Sequence, residues 1–308
     1  MRNLIRHAPT CAAAVLITSA AAQAATIYAV NNNLFDPPQT ASDHLIRFDS
    51  SNPAGYTTIG ALGVPGIGFG GLDFDRSGNL WGYASFFDDN GGASSGLYRV
   101  DINTGHATLQ GTQSLRTLDD LAFNPVDNKM YGVRTQGNVT TLYNVNLDTG
   151  AVASVGAFTG LPATHNVNSF AIDSAGNYYV QESSTDGIYK AGADRAMSLL
   201  YNIGQDTNFS QGMTIDWSRN NRGYHAATGQ GVFPNYFTTL NQFATDGSGY
   251  TIGPDFGPNI MIGGFGYPPV EAGDLAIAPA VPEPVNISLV GCGIAGLMVP
   301  RRVRRLEQ

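Results

Sequence analysis

GLDFDRSGNLWGYA, running from Gly71 to Ala84, is the stretch whose reading decides the fold. An apolar segment leads into a polar turn containing Gly78, and an aromatic segment follows it. After an intervening loop, GLYRVDINTGHATLQG (Gly96 to Gly111) adds Leu97-Tyr98-Arg99-Val100, an Asn-Thr-Gly turn and Ala107 to Leu109. Short apolar and aromatic runs bounded by Asp, Asn and Gly are strand and turn signals, since those turn residues bond their own backbone or tolerate positive φ. The unit therefore predicts four short strands in a meander.

The unit recurs. Its first-strand centres are Leu72-Asp73-Phe74, Leu121-Ala122-Phe123, Phe170-Ala171-Ile172, Met213-Thr214-Ile215 and Leu275-Ala276-Ile277, and they start 49, 49, 43 and 62 residues apart. That is a period of propeller-blade size. Asp75, Asn124, Asp173 and Asp216 follow four of the centres and suit the opening of a hairpin turn. Second strands then read Leu80 to Tyr83, Met130 to Val133, Tyr178 to Val180 and Gly223 to Ala226; third strands read Leu97 to Val100, Leu142 to Val145, Ile188-Tyr189 and Thr239 to Phe243. Val152 to Val155 is a fourth strand like Ala107 to Leu109. No helix signal separates the units, which predicts an all-β, five-bladed β-propeller.

The ends fit the same scheme. Thr26 to Val30 matches a second strand, Leu45 to Asp49 a third and Tyr56 to Ile59 a fourth, while the missing first strand is Leu275 to Ile277 at the far end. Pairing the two closes the ring with strands from both termini and removes an exposed edge. The C-terminus is then expected at the rim. A six-bladed ring is the alternative, but Gly253 to Tyr267 is too rich in Gly and Pro to supply four good strands.

Ala122, Ala171, Thr214 and Ala276 are small, as crowding near an axis demands, and Asp73 stands in the same position. Asp73 is therefore the repeat position to inspect for an ion or ligand, with Asp75 beside it. Asp73 to Asn79 looks like the start of a calcium loop, yet Ala84 occupies the twelfth position, where a bidentate Glu is needed. The blade hairpin explains the stretch better, and no metal or other cofactor is expected.

Other motifs point to chance. Gly66 to Gly71 fits G-x-G-x-x-G but has its strand after the glycines, where a dinucleotide site needs a helix. Gly92 to Gly96 fits G-x-S-x-G but reads as a loop without a strand-to-helix elbow. His44, His106, His165 and His225 are spread over four blades without metal-ligand spacing. Tyr28, Trp81, Tyr131, Tyr179 and Tyr224 recur at blade spacing, which suits core packing rather than sugar stacking. No catalytic residue is expected.

The chain has a net charge of −8, and without its two arginine-bearing ends the remainder carries about −13. Such a surface repels nucleic acid and anionic lipid. Cys11 and Cys292, its two cysteines, both lie in terminal apolar segments, so the domain between them has neither a disulfide framework nor a thiolate metal site.

Residues 1–24 carry Arg2 and Arg6, an apolar run from Cys11 to Ala22 and the small-x-small sequence Ala22-Gln23-Ala24, the pattern of a secretory signal peptide. Residues 25–280 are the propeller. Residues 281–305 form a separate tail: Val281-Pro282-Glu283-Pro284, an apolar segment over 285–300, then Arg301, Arg302, Arg304 and Arg305. Val285 to Val299 would span about 22 Å as a helix, a short transmembrane segment. The prolines keep the chain before it extended, and the arginines would stay cytoplasmic with the propeller outside.

This tail resembles the PEP-CTERM sorting signal of Gram-negative bacteria in all three parts and their order. Asn286 inside the span is one departure. The resemblance covers under a tenth of the chain. It implies processing near the motif by an exosortase, with Pro282, Glu283 and Pro284 as recognition residues, and an association with exopolysaccharide and biofilm surfaces. The expectation is a non-catalytic propeller exported across the inner membrane, anchored transiently and then displayed in the cell envelope or matrix, binding polysaccharide or an envelope protein. A lactonase-like propeller hydrolase with a divalent cation in its channel is the alternative.

Overall fold

Every first-strand centre becomes the innermost strand of a blade. The computed structural model describes residues 24–31, 43–64, 67–87, 93–114, 116–230, 236–257, 260–262, 265–267, 270 and 272–279. Blade 1 contains β1 (Thr26–Asn31), β2 (His44–Asp49) and β3 (Asn52–Ala61). Blade 2 is β4 (Ile67–Phe74), β5 (Leu80–Phe87), β6 (Ala93–Val100) and β7 (Ala107–Ser114). Blade 3 is β8 (Asp120–Asn124), β9 (Lys129–Gln136), β10 (Val139–Val145) and β11 (Val152–Ala157). Blade 4 is β12 (Val167–Ile172), β13 (Tyr178–Glu182), β14 (Gly187–Ala191) and β15 (Ser198–Asn202). Blade 5 is β16 (Thr207–Asp216), β17 (Arg222–Gln230), β18 (Tyr236–Ala244) and β19 (Tyr250–Thr251). The ribbon β20 (Ile260–Ile262) and β21 (Phe265–Tyr267) follows, then β22 (Ala272–Ile277).

Each blade is a four-stranded antiparallel sheet, and β22 supplies the inner strand of blade 1 in the order β22-β1-β2-β3. Around the axis β22, β4, β8, β12 and β16 lie each beside the next, and β16 returns to β22. The fold is a five-bladed all-β propeller closed by strands from the two ends of the sequence. The 62-residue interval yields the two-stranded ribbon β20-β21 rather than a sixth blade. Because the closing strand is innermost, the chain leaves the propeller at the mouth of the channel and not at the rim as expected from sequence. Ile277, Ala278 and Pro279 line that mouth.

Five separate apolar cores fill the five gaps between blades, and each holds one of the repeated aromatics: Tyr28, Trp81, Tyr131, Tyr179 and Tyr224. All five are buried. In the strand register each stands opposite the small central residue of its inner strand, as Tyr28↔Ala276, Trp81↔Asp73, Tyr131↔Ala122, Tyr179↔Ala171 and Tyr224↔Thr214. A large side chain opposite a small one lets layers interlock at interior density. On the inner strands, neighbouring blades approach closely at glycines. A Cβ on Gly212 would lie 2.7 Å from the Asp274 nitrogen, and one on Gly71 would lie 2.9 Å from the Asp120 carbonyl carbon.

Ala22, the VPEP residues Val281, Pro282, Glu283 and Pro284, the apolar segment after them, and Arg301, Arg302, Arg304 and Arg305 lie outside the described residues. Ala24 is described, just before β1. Among the described residues no helix is long and apolar enough to cross a membrane.

Candidate functional site

Two levels of the inner strands carry buried carboxylates. The lower one is the mouth where inner strands end, a cavity of about 370 Å³ walled by Phe170, Ile172, Met213, Ile215 and Trp217, with Asp73 at its edge. The Phe74 N–H donates to Asp73 Oδ1 at 2.8 Å, and the Phe123 N–H of the next blade donates to Oδ2 at 2.7 Å. Burial nevertheless pushes the Asp73 carboxyl up to about 7, the two N–H donors holding it back and Asp75 adding repulsion. Asp73 thus ties blade 2 to blade 3 at the edge of a mainly apolar pocket.

Asp75 has a different office. Its Oδ1 accepts from the Ser77 and Asn79 backbone at 2.8 and 2.9 Å, and its Oδ2 from Asn79 Nδ2 and Trp81 Nε1 at 2.8 and 2.9 Å. Burial raises its pKa, but these hydrogen bonds outweigh that and hold the group below the usual carboxylate range. Asp173 repeats the pattern in blade 4 with Ala175, Asn177 and Tyr179. The calcium-loop look of Asp73 to Asn79 is the chemistry of a hairpin: three donors of the turn and the Trp81 indole of β5 fill the Asp75 carboxylate.

The upper level was missed in sequence. One residue before each apolar centre stand Gly71, Asp120, Ser169, Gly212 and Asp274, so aligning the repeat one position further upstream would have brought the two acids into register. Asp120 Oδ1 accepts from its neighbour Leu121 N–H at 2.6 Å, and Oδ2 from Phe170 N–H of blade 4 at 2.6 Å. The Gly71 backbone N–H of blade 2 donates to Asp274. Both carboxyls are raised well above the ordinary value, first by burial, and Asp120 further by the charges of Asp274 and Asp73. Asp43, itself pushed up to about 6 by burial, adds repulsion on Asp274.

Asp274 is also a bulge. The pairing with β1 runs Ala29↔Leu275 and then Val30↔Gly273, so Asp274 has no partner in register, and its φ is +48°. Bulges re-aim a side chain. Among the described residues, Asp274 Oδ2 and Ser169 Oγ are buried without a hydrogen-bond partner.

The histidines do not converge. His225 is fully buried between Gln211 and Tyr250, and burial pulls its pKa down to about 3. His165 bonds the Pro162 carbonyl and Thr140 Oγ1. Among the described residues no group of three or more His, Cys, Asp or Glu is placed to hold a metal. Two motif stretches are also located: Ile67 to Gly71 lies in β4, which turns into another strand, and Ala93 to Gly96 lies in β6 and not in the loop expected for it.

Two family models match parts of the chain: a repeat of unknown function (DUF6923) over residues 86–224 and a domain of unknown function (DUF4394) over residues 6–122. The first agrees with a repeated architecture. No curated protein sequence matches. Among solved structures, a chain of a nidogen–laminin complex is 13% identical, with 82% of this chain and 98% of that one covered and a TM-score of 0.48. TolB from Acinetobacter baumannii is 15% identical, with coverage of 83% and 67% and a TM-score of 0.45. A candidate 6-phosphogluconolactonase from Bacteroides uniformis is 12% identical, with coverage of 79% and 87% and a TM-score of 0.43.

Proposed function

We propose that the protein is an exported, non-catalytic β-propeller, carried to the cell surface or extracellular matrix by an exosortase acting on its tail. The observation that carries this reading is the order VPEP, apolar segment, arginine cluster over residues 281–305. Two features support it. The signal-peptide pattern of residues 1–24 provides for export, and the closing strand β22 ends four positions before Val281, so the motif follows the folded body directly. An acidic body suits neutral polymers such as exopolysaccharide, or a basic envelope protein, better than anionic partners.

A lactonase-like hydrolase is the weaker reading. Asp73 has a pKa near neutrality at an apolar cavity, as a general base would, but both of its oxygens already accept backbone N–H groups, one from its own strand and one from blade 3. Its geometry is that of a strut.

The tail is tested by expressing the chain in a host with and without its exosortase, and as Pro282→Ala/Glu283→Ala/Pro284→Ala. Mass spectrometry of the mature protein should show loss of the arginine cluster only in the unmodified chain with the enzyme present. Equal retention of Arg301 to Arg305 in all three cases overturns the sorting reading.

A further inference from the structure

The upper ring presents oxygen donors that the fold leaves unsatisfied. Asp120, Ser169 and Asp274 occupy one level of three inner strands, and are 1%, 0% and 3% exposed. The level is fixed by contacts around the ring. Gly71 N–H reaches the Asp274 carboxylate, a Gly71 Cβ would touch Asp120, Phe170 N–H reaches Asp120, and a Gly212 Cβ would touch Asp274. Each of the five blades therefore takes part in a close contact at this level.

Burying two carboxylates at one level requires a compensating positive charge or proton. The ion pairs among the described residues are Lys129–Asp127 and Arg219–Asp216, and neither involves Asp120 or Asp274. Among the described residues, the one buried carboxylate oxygen without a partner belongs to Asp274, the bulged residue. The serine hydroxyl beside Asp120 in the ring is likewise unpartnered. Carboxylate and hydroxyl oxygens, with no nitrogen or sulfur among them, select a hard cation, and calcium accepts an irregular shell completed by water.

We propose that Asp120, Ser169 and Asp274 hold a calcium-type divalent cation on the propeller axis, where it fastens the closing strand β22 to blades 3 and 4. The site is structural and independent of the sorting reading. It lies two register positions from Asp73 along the inner strands, and none of its three residues lines the Asp73 cavity.

The test uses the full chain, stripped with a chelator and exchanged into metal-free buffer at pH 8. Melting temperature is followed by circular dichroism with calcium, magnesium or sodium at matched ionic strength, and calcium binding by calorimetry. Calcium should raise the melting temperature by several degrees with a stoichiometry of one, because a ligand bound only by the folded state stabilises it. Asp274→Asn should bind calcium at least tenfold more weakly, yet melt no lower than the unmodified chain in chelator, since it removes an uncompensated charge. Ser169→Ala, which changes no charge, should weaken binding severalfold and serves if Asp274→Asn fails to fold. The proposal is overturned if neither calcium nor magnesium shifts the melting temperature and no binding heat appears, the ring then carrying a proton instead. It is also overturned if Asp274→Asn or Ser169→Ala responds to calcium as the unmodified chain does.

Discussion

Asp73 and Asp75 are two residues apart and chemically identical, yet the fold sends their carboxyls in opposite directions. Asp75 has four donors; Asp73 has two and a desolvated position, and is raised to about 7. A carboxyl raised above its unfolded value binds more protons folded than unfolded, so between about pH 4 and pH 7 its contribution to stability falls as pH rises. Asp73→Asn removes that charge. Its melting temperature relative to the unmodified chain should therefore be more favourable at pH 8 than at pH 4, and thermal melts at the two values check this. A difference that does not depend on pH would show that Asp73 is charged at both. At this scale the sequence was partly legible. Asp73 stands out because four of the five equivalent positions hold Ala or Thr, whereas Asp120 and Asp274 went unread. They lie one residue outside the apolar centres, where the repeat has Gly twice and Ser once, so no common residue type marks the column.

Among the elements, the hairpins that join first and second strands show how one solution is reused. Asp75 and Asp173 each bind two backbone N–H groups, an Asn side chain and the polar tip of the core aromatic, Trp81 Nε1 or Tyr179 OH. The turn and the interblade core are locked by one carboxylate. Asp75→Ala and Asp173→Ala should each cost about 1–3 kcal/mol, because the turn donors and the tip of the core aromatic lose their shared acceptor, Tyr179 OH keeping only its longer bond to the Thr245 carbonyl. Blades 2 and 4 are not neighbours, so the losses should add in the double variant; denaturant melts measure both. Strongly unequal losses would mean that the two nets are not equivalent. The strands themselves were readable because apolar centre, turn and aromatic recur together, each line of evidence fixing the same register. The Ala93 to Gly96 part of β6 was not: Ala-Ser-Ser-Gly has no apolar alternation, and it is a strand because β5 supplies partners for all four residues. That information is tertiary.

For the molecule as a whole, closure rests on six residues. Without Ala272–Ile277, β1 loses its inner neighbour, blades 5 and 2 lose the strand between them, and the core holding Tyr224 loses Leu275. A chain stopped after Val270 should lose cooperative melting and self-associate through the open edge of β1. A chain stopped after Ala280 keeps the closing strand and should melt cooperatively as a monomer. Circular dichroism and sedimentation compare the two, and cooperative melting of the shorter chain would show that the ring does not depend on β22. The closed ring was foreseeable because the first segment matched a second strand and the last matched a first strand. The exit point was misplaced at the rim, although a last strand that matches a first strand, with small Ala276 at its centre, already belongs beside the axis.

The position of β22 also bears on the order of synthesis. The first strand to be made waits for the last, and the last is joined almost directly to the segment read here as an address. A polypeptide interrupted anywhere before residue 272 would lack the closing strand and, on the proposed sorting, the address as well. On that reading the chain carries its own certificate of completion: only a full-length product can be both folded and delivered, and unfinished copies are left open to proteases of the compartment they reached.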